Sequence, residues 1–168
     1  MDQTVDNLYK EIIDFGIVSS PFDIKDEVEA LDVKIIEDCF VVGKQLKGLA
    51  DEELELEELL KHPIICLEEN SSTRKYLDEF LQKNDIIITP EFELATSDMI
   101  VQFAYRNLGI GCVMKEFARK ELENGNLWEL KFKKKIPKRK FSIIYSKHTA
   151  ISYAAKELLE LIKAERMY

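Results

Sequence analysis

The sequence predicts an α/β fold with parallel strand pairing. Short apolar runs alternate along the chain with segments whose apolar residues recur at helical spacing, as is typical of strands joined by crossover helices. At 168 residues the chain is long enough for one domain with a sizeable core or for two small lobes. Ligands of such sheets gather at the carboxyl ends of the strands.

The first third of the chain supplies the first predicted elements. Residues 8–13 carry a helical pattern, and residues 15–18 predict a buried strand that stops at a Ser-Ser-Pro sequence. Residues 33–43 predict one or two further strands. The acidic block 51–58 is interpreted as the solvated face of a short helix whose leucines point inward.

The most informative stretch is a strand-to-helix step near the middle. Residues 64–67 predict a buried strand, and apolar residues of segment 76–81 recur at helical spacing just after it. Ser71, Ser72 and Thr73 lie where the helix cap belongs. The first helical turn leaves backbone N–H groups unpaired, so hydroxyls gathered there suit a small carboxylate, phosphate or sulfate. A plain helix cap without a ligand remains the alternative.

A second hydroxyl-rich helix start follows. Residues 85–90 predict another buried strand, and Thr96 or Ser97 caps the helix that comes next. Gly109 is predicted to end that helix in the left-handed conformation.

The remaining segments continue the alternation. Residues 110–114 predict a buried strand and residues 115–124 a helix. Segments 127–132 and 141–145 predict strands, and residues 152–167 close the chain as an amphipathic helix.

Charge and composition exclude several classes of protein. The net charge of −8 opposes nucleic-acid binding by bulk electrostatics. The basic run 131–140 favours a charged hairpin at a sheet edge, with a nucleic-acid patch as the alternative. The chain shows no apolar run of membrane-spanning length and no secretory signal at its start, so we expect a cytoplasmic protein without membrane contact.

Metal and catalytic patterns are not evident. Cys39, Cys66 and Cys112 lie in separate apolar runs and predict buried thiols of a reducing compartment, and neither His62 nor His148 has a Cys or His at ligand spacing. The sequence therefore predicts no metal site, no cofactor and no catalytic residues, and the chain is interpreted as a protein other than an enzyme.

Four segments in order resemble the effector-binding domain of LysR-type transcriptional regulators. They are residues 14–22, residues 63–74, residues 103–111 and residues 141–145 before the final helix. The resemblance covers nearly the whole chain. It implies a type 2 periplasmic-binding-protein-like fold of two α/β lobes joined by two crossovers.

The resemblance also implies the domain organisation. Residues 1–30 and 148–168 correspond to an incomplete first lobe, and residues 31–147 correspond to the second lobe. The winged helix-turn-helix, the linker helix and the first strand and helix of the effector domain are expected to be absent from this chain.

By the same resemblance, a small anionic effector binds between the lobes. The ligand hydroxyls are expected on Ser19 or Ser20, after the segment that corresponds to the family's third strand, and on Ser71, Ser72 and Thr73 at the central helix start. Thr96 and Ser97 lie nearby and are the weaker candidates.

The implied function is that of a ligand-sensing regulatory domain controlling transcription. We expect a homodimer that reaches DNA only through a domain outside this chain. The alternatives are a stand-alone solute-binding protein of the same fold and an enzyme on that fold.

Overall fold

The computed structural model describes residues 3–147 and 151–165. They fall into two compact units, Met1–Ile36 with Arg139–Tyr168, and Glu37–Lys138, called here the first and second units. The two lobes expected from the sequence have their boundaries after residues 30 and 147. His148 lies outside the described residues. So does Met167, the predicted last residue of the final helix.

Five helices, ten strands and two 3₁₀ helices make up the described part of the chain. In chain order they are α1 (Gln3–Tyr9), β1 (Phe15–Ser19), β2 (Val28–Ile36), β3 (Asp38–Val42), a 3₁₀ helix (Lys44–Asp51), β4 (Glu53–Leu54), a second 3₁₀ helix (Leu56–Lys61), β5 (Ile64–Leu67), α2 (Ser72–Gln82), β6 (Phe92–Leu94), α3 (Ser97–Tyr105), β7 (Ile110–Met114), α4 (Lys115–Glu123), β8 (Trp128–Glu129), β9 (Lys131–Phe132), β10 (Arg139–Ser146) and α5 (Tyr153–Glu165).

The first unit is built on a three-stranded antiparallel sheet in the order β1-β10-β2. Val18 of β1 and Ile144 of β10 are buried with Val5 and Leu8 of α1. Because successive side chains of a strand point to opposite faces, the sheet buries Val18 while its neighbour Ile17 is 58 % exposed.

The second unit is built on a five-stranded mixed sheet in the order β6-β5-β7-β3-β8. Strands β6, β5 and β7 are parallel, whereas β3 is antiparallel to both β7 and β8. A small parallel pair, β4 with β9, lies in the same unit. Two apolar clusters are buried in this unit: one includes Leu77 and Leu81 of α2, and the other includes Ile100 and Ala104 of α3.

The helical spacing explains which faces of these helices are buried. Leu77 and Leu81 of α2 are four residues apart, as are Ile100 and Ala104 of α3, and residues at that spacing share one helix face. Helix α2 follows β5 and helix α3 follows β6. Because these two strands are parallel, the N-termini of both helices lie at the carboxyl edge of the sheet.

Several predicted elements differ from those observed. Segment 85–90 forms no strand, and Ile87 is 77 % exposed; the strand begins after Pro90, which has no N–H to donate. The acidic block contains β4 and the start of a 3₁₀ helix, although Leu54 and Leu56 do point inward. The first helix lies over Gln3–Tyr9 rather than 8–13.

The basic run does not form a hairpin. Strand β9 pairs with β4, whereas β10 pairs with β1 and β2, so the two strands flanking the run belong to different sheets.

Gly109 is also not the left-handed cap of α3. Asn107 adopts that conformation, with φ 64°, and Gly109 has φ 154°. A Cβ atom on Gly109 would lie 2.4 Å from the carbonyl oxygen of Pro63, which accepts a hydrogen bond from Ile110 N at 2.8 Å. Glycine at this position therefore permits the close approach that begins the pairing of β7 with β5.

None of the helices among the described residues is long and apolar enough to span a bilayer.

Candidate functional site

The start of α2 carries the first group of predicted ligand residues. Ser71 is the N-cap, and its Oγ accepts a hydrogen bond from the backbone N–H of Arg74 over 3.1 Å. Ser72 is exposed and Thr73 is buried, with 8 % of its surface accessible. The Ser71 hydroxyl therefore caps the helix, as the plain interpretation of this sequence expected.

The start of α3 carries the second group. Thr96 is the N-cap but its side chain makes no capping hydrogen bond, and it is exposed. Ser97 is buried, and Asp98 adds a carboxylate to the first turn. The two helix starts thus differ, because the Ser71 hydroxyl caps α2 whereas the Thr96 hydroxyl makes no capping bond in α3.

The pairing of β5 with β6 brings these two helix starts to one edge of the sheet. The strands are parallel, Leu67 lies opposite Leu94, and the backbone N–H of Glu68 donates to the carbonyl oxygen of Leu94 over 3.1 Å. Each helix starts within a few residues of these strand ends. We call the five hydroxyl residues of the two helix starts the hydroxyl edge; they are Ser71, Ser72, Thr73, Thr96 and Ser97.

Arg74 is a buried cation beside the hydroxyl edge that the sequence interpretation did not assign to the site. Its Nε donates to both carboxylate oxygens of Asp78 over 3.0 and 2.9 Å, and its Nη1 donates to the carbonyl oxygen of Leu67 over 3.0 Å. Its Nη1 also lies 3.7 Å from a carboxylate oxygen of Glu93. The spacing of Arg74 and Asp78, four residues apart on a helix, was the available signal.

The electrostatic setting of Arg74 keeps it charged. Burial opposes the charge, but the hydrogen bonds and charge of Asp78 outweigh that effect and raise the pKa of Arg74. Asp78 and the nearby Glu93 offset this charge, so the guanidinium holds the first turn of α2 in place and adds no free positive charge to the edge. The groups at the hydroxyl edge that can donate hydrogen bonds to a ligand are the hydroxyls and the N–H groups of the two first helical turns.

Ser19 and Ser20 lie in the first unit, where β1 ends. The Oγ of Ser19 accepts a hydrogen bond from Arg139 Nη1 over 3.1 Å, and the Oγ of Ser20 accepts one from the backbone N–H of Lys140 over 2.8 Å. Arg139 is buried, with 3 % of its surface accessible. Both serines therefore link the end of β1 to β10, and Ser19 lies next to a buried guanidinium.

The thiols are poorly placed for nucleophilic chemistry. Cys39, Cys66 and Cys112 are all buried, as the sequence predicted. Burial raises the pKa of Cys66 to about 12 and raises the pKa of Cys39 as well. Because the thiolate is the reactive form, Cys39 and Cys66 are unreactive at neutral pH. Within residues 3–147 and 151–165, no three His, Cys, Asp or Glu side chains are grouped to hold a metal ion.

Comparison with known proteins identifies the family. The family model described as "LysR substrate binding domain" matches residues 1–166. The HTH-type transcriptional activator CmpR of Synechocystis sp. is 29 % identical over 124 residues, which is 74 % of this chain and 41 % of that protein. The chain thus spans about two fifths of the length of this curated relative.

Solved structures share the fold at low sequence identity. The regulatory domain of CcmR from Synechocystis PCC6803, in complex with 2-PG, has a TM-score of 0.79 at 16 % identity, covering 96 % of this chain and 77 % of that one. The regulatory domain of HypT from Salmonella typhimurium, bromide-bound, has a TM-score of 0.80 at 16 % identity, covering 99 % and 79 %. The effector-binding domain of QuiR, in complex with shikimate, has a TM-score of 0.74 at 19 % identity, covering 94 % and 74 %.

These matches confirm the resemblance seen in the sequence. They also confirm the mixed α/β fold of the type 2 periplasmic-binding-protein kind.

Proposed function

The chain belongs to the LysR substrate-binding domain family, and from this premise we propose that it is a ligand-sensing regulatory domain whose effector is a small anion held at the hydroxyl edge. The observation that carries the proposal is the placement of two helix N-termini at the carboxyl edge of the parallel pair β5 and β6. Helix N-termini at such an edge bind anions through their unpaired N–H groups.

The proposed ligand groups have different roles. Ser72 and Thr96, which are exposed, donate hydrogen bonds to the anion directly. Ser71 holds the geometry of the first turn of α2, and Thr73 and Ser97 line the edge. Arg74 holds the first turn of α2 against the end of β5 through its bonds to Leu67 and Asp78. Ser19 and Ser20 of the first unit are the remaining proposed ligand groups.

An anionic effector fits what related proteins bind. CcmR was solved with 2-PG, QuiR with shikimate and HypT with bromide. For this chain the proposed class of effector rests on the hydroxyls and the helix dipoles. These groups favour a compact, hydrophilic anion such as a hydroxycarboxylate or a phosphate ester.

The regulatory role follows from the family. We propose that the first and second units correspond to the two lobes of the effector domain, and that effector binding changes the population of domain conformations that control transcription. The intact protein is proposed to be a cytoplasmic homodimer that contacts DNA through a separate domain and catalyses no reaction.

A thermal-shift screen followed by calorimetry tests the effector site. Shikimate, phosphoglycolate and citrate are the first probes, and a binding anion raises Tm with the logarithm of its concentration once that concentration exceeds Kd. The double variant Ser72→Ala/Thr96→Val removes two hydroxyls that make no capping bond, so it should fold normally and lose about tenfold or more in affinity for two lost hydrogen bonds.

Thr89→Val provides the matched control. Thr89 is exposed and precedes β6, so it lies toward the opposite end of that strand. The control should bind as the unmodified chain does. Unchanged affinity in the double variant, or the absence of any stabilising anion in a broad screen, would overturn the proposed site.

A further inference from the structure

A cavity separate from the hydroxyl edge lies wholly within the second unit, next to β3. Its volume is about 390 Å³. Strand β8 pairs with β3 at Val41 and Val42, and just beyond it Leu130 N donates to the carbonyl oxygen of Phe40 over 2.9 Å. The cavity is lined by the preceding stretch of β3, from Asp38 to Phe40, and by the segment that follows β8.

One side of this cavity is apolar. Phe40, Leu130 and Phe132 line it with at most 5 % of their surfaces accessible, and the half-buried Ile136 completes this side. The rings of Phe40 and Phe132 meet edge to face, with centroids 5.1 Å apart. Ile136 is the most accessible of these four side chains and offers an apolar ligand body the most surface to cover.

One end of the cavity carries charges that neutralise one another. Lys138 forms an ion pair with Glu37, and Lys115 Nζ lies 2.7 Å from Glu129 and 4.0 Å from Glu37. Two lysines and two glutamates thus alternate in one chain of contacts. Asp38 also lines the cavity, so this end offers no excess positive charge to a ligand.

Three further lysines line the cavity, and they are Lys131, Lys134 and Lys135. Lys131 lies opposite Glu53 in the register of β9 with β4, and the adjacent Lys133 is bonded to Glu55 outside the lining. Lys134 and Lys135 form no ion pair with any described residue. Lys134 and Lys135 are exposed and belong to the same lining as the apolar side chains, so their charges are available to a ligand there.

We propose that this cavity is a binding site for a small amphipathic anion, a carboxylate with an aliphatic or aromatic body. The apolar body packs against Phe40, Phe132 and Ile136, and the carboxylate pairs with Lys134 and Lys135. The ligand class differs from that of the hydroxyl edge, whose hydroxyls and helix dipoles favour a hydrophilic anion. The inference therefore stands apart from the proposed function.

Octanoate is the probe for this site, and titration calorimetry measures its binding. Trp128, the one tryptophan in the sequence, directly precedes the lining residues Glu129 and Leu130, so its fluorescence gives a second readout. Acetate tests the need for the apolar body, and 1-octanol tests the need for the charge. We expect octanoate to bind at least about tenfold more tightly than either, because each lacks one of the two contacts.

Two variants remove the proposed contacts separately. Lys134→Ala/Lys135→Ala should weaken octanoate binding about five- to tenfold, the effect of losing two partly exposed charge pairs, and should reduce the salt dependence of binding. Ile136→Ala should weaken it to a similar extent through lost apolar contact. Lys83→Ala/Lys120→Ala is the matched control, since both lysines are exposed and lie outside the lining.

The outcomes separate this site from the hydroxyl edge. The inference is supported if octanoate binds the unmodified chain, the lysine control and Ser72→Ala/Thr96→Val equally well, but binds Lys134→Ala/Lys135→Ala weakly. It is overturned if octanoate fails to bind at its solubility limit, or if removing Lys134 and Lys135 leaves its affinity unchanged. Loss of octanoate binding in Ser72→Ala/Thr96→Val would assign the probe to the hydroxyl edge instead, and would also overturn it.

Discussion

Arg74 Nη1 donates a hydrogen bond to the carbonyl oxygen of Leu67 over 3.0 Å, so a side chain in the first turn of α2 is tied to the last residue of β5. The same guanidinium is fixed from the other side by Asp78. The first helical turn therefore has a defined position relative to the strand that precedes it. This fixed geometry suits a site that recognises an anion by the direction of its N–H groups.

Replacing Arg74 tests that role in holding the helix start. Arg74→Ala leaves the carboxylate of Asp78 and the carbonyl of Leu67 without their donor, so we expect the free energy of unfolding to fall by about 2 kcal/mol or more. Arg119→Ala, at an exposed position of α4, should change it by less than about 0.5 kcal/mol. Urea denaturation measures both. Equal effects of the two substitutions would show that Arg74 does not hold the turn.

The two helix caps should differ in energetic weight. Ser71→Ala removes the bond to the backbone N–H of Arg74 and should lower the free energy of unfolding by about 1 kcal/mol. Thr96→Ala removes a hydroxyl that makes no capping bond and should cost about half of that or less. Chemical denaturation of the two variants side by side checks the difference. A larger loss in Thr96→Ala would show that its hydroxyl caps α3 in solution.

Much of the second unit could be predicted because its signals are local. The apolar run 64–67, the hydroxyls after it and the helical spacing of Leu77 and Leu81 are all contained within twenty residues, and strand, cap and helix occur where they were predicted. The burial of the three thiols followed from the apolar runs around them. These features depend on neighbours in the sequence, which a single chain displays.

The differences arise where strand pairing joins distant segments. Segment 85–90 is as apolar as a strand, yet the pairing partner of β5 is Phe92–Leu94, and the hydrogen bond of Glu91 N to Ile64 O at 3.0 Å precedes it. The partners of β9 and β10 lie about 80 or more residues earlier in the chain. The residues of the basic run therefore do not indicate that the two strands belong to different sheets. The charge pairing of Arg74 was visible in the sequence, but its bond to Leu67 depends on how the helix packs.

Gly109 should be the least replaceable glycine of the second unit. Gly109→Ala introduces a Cβ atom 2.4 Å from the carbonyl oxygen of Pro63 at a φ of 154°, so we expect a loss of about 3 kcal/mol or more in the free energy of unfolding. Gly125 has a φ of 69° but open space where a Cβ would lie. Gly125→Ala should therefore lower the free energy of unfolding only through the strain of a side chain at positive φ, by about 1 kcal/mol. Thermal or urea unfolding compares them. Similar losses in both would indicate that the backbone near Pro63 yields.

The buried thiols should make the protein less stable at alkaline pH. Burial raises the pKa of Cys66 from 9.0 to about 12, so the folded state keeps a proton that the unfolded state releases. Stability from this group is complete below pH 9 and is lost as the pH rises from 9 towards about 12, by about 1.4 kcal/mol per pH unit within that interval. Urea denaturation from pH 8 to 11 measures the slope.

The control for this prediction is Cys66→Ala, which lacks the thiol. Because other groups also titrate in this pH range, the test is the difference between the two proteins, and the variant should show a shallower decline. Parallel declines in the two proteins would mean that the Cys66 thiol ionises as readily in the folded state as in the unfolded state.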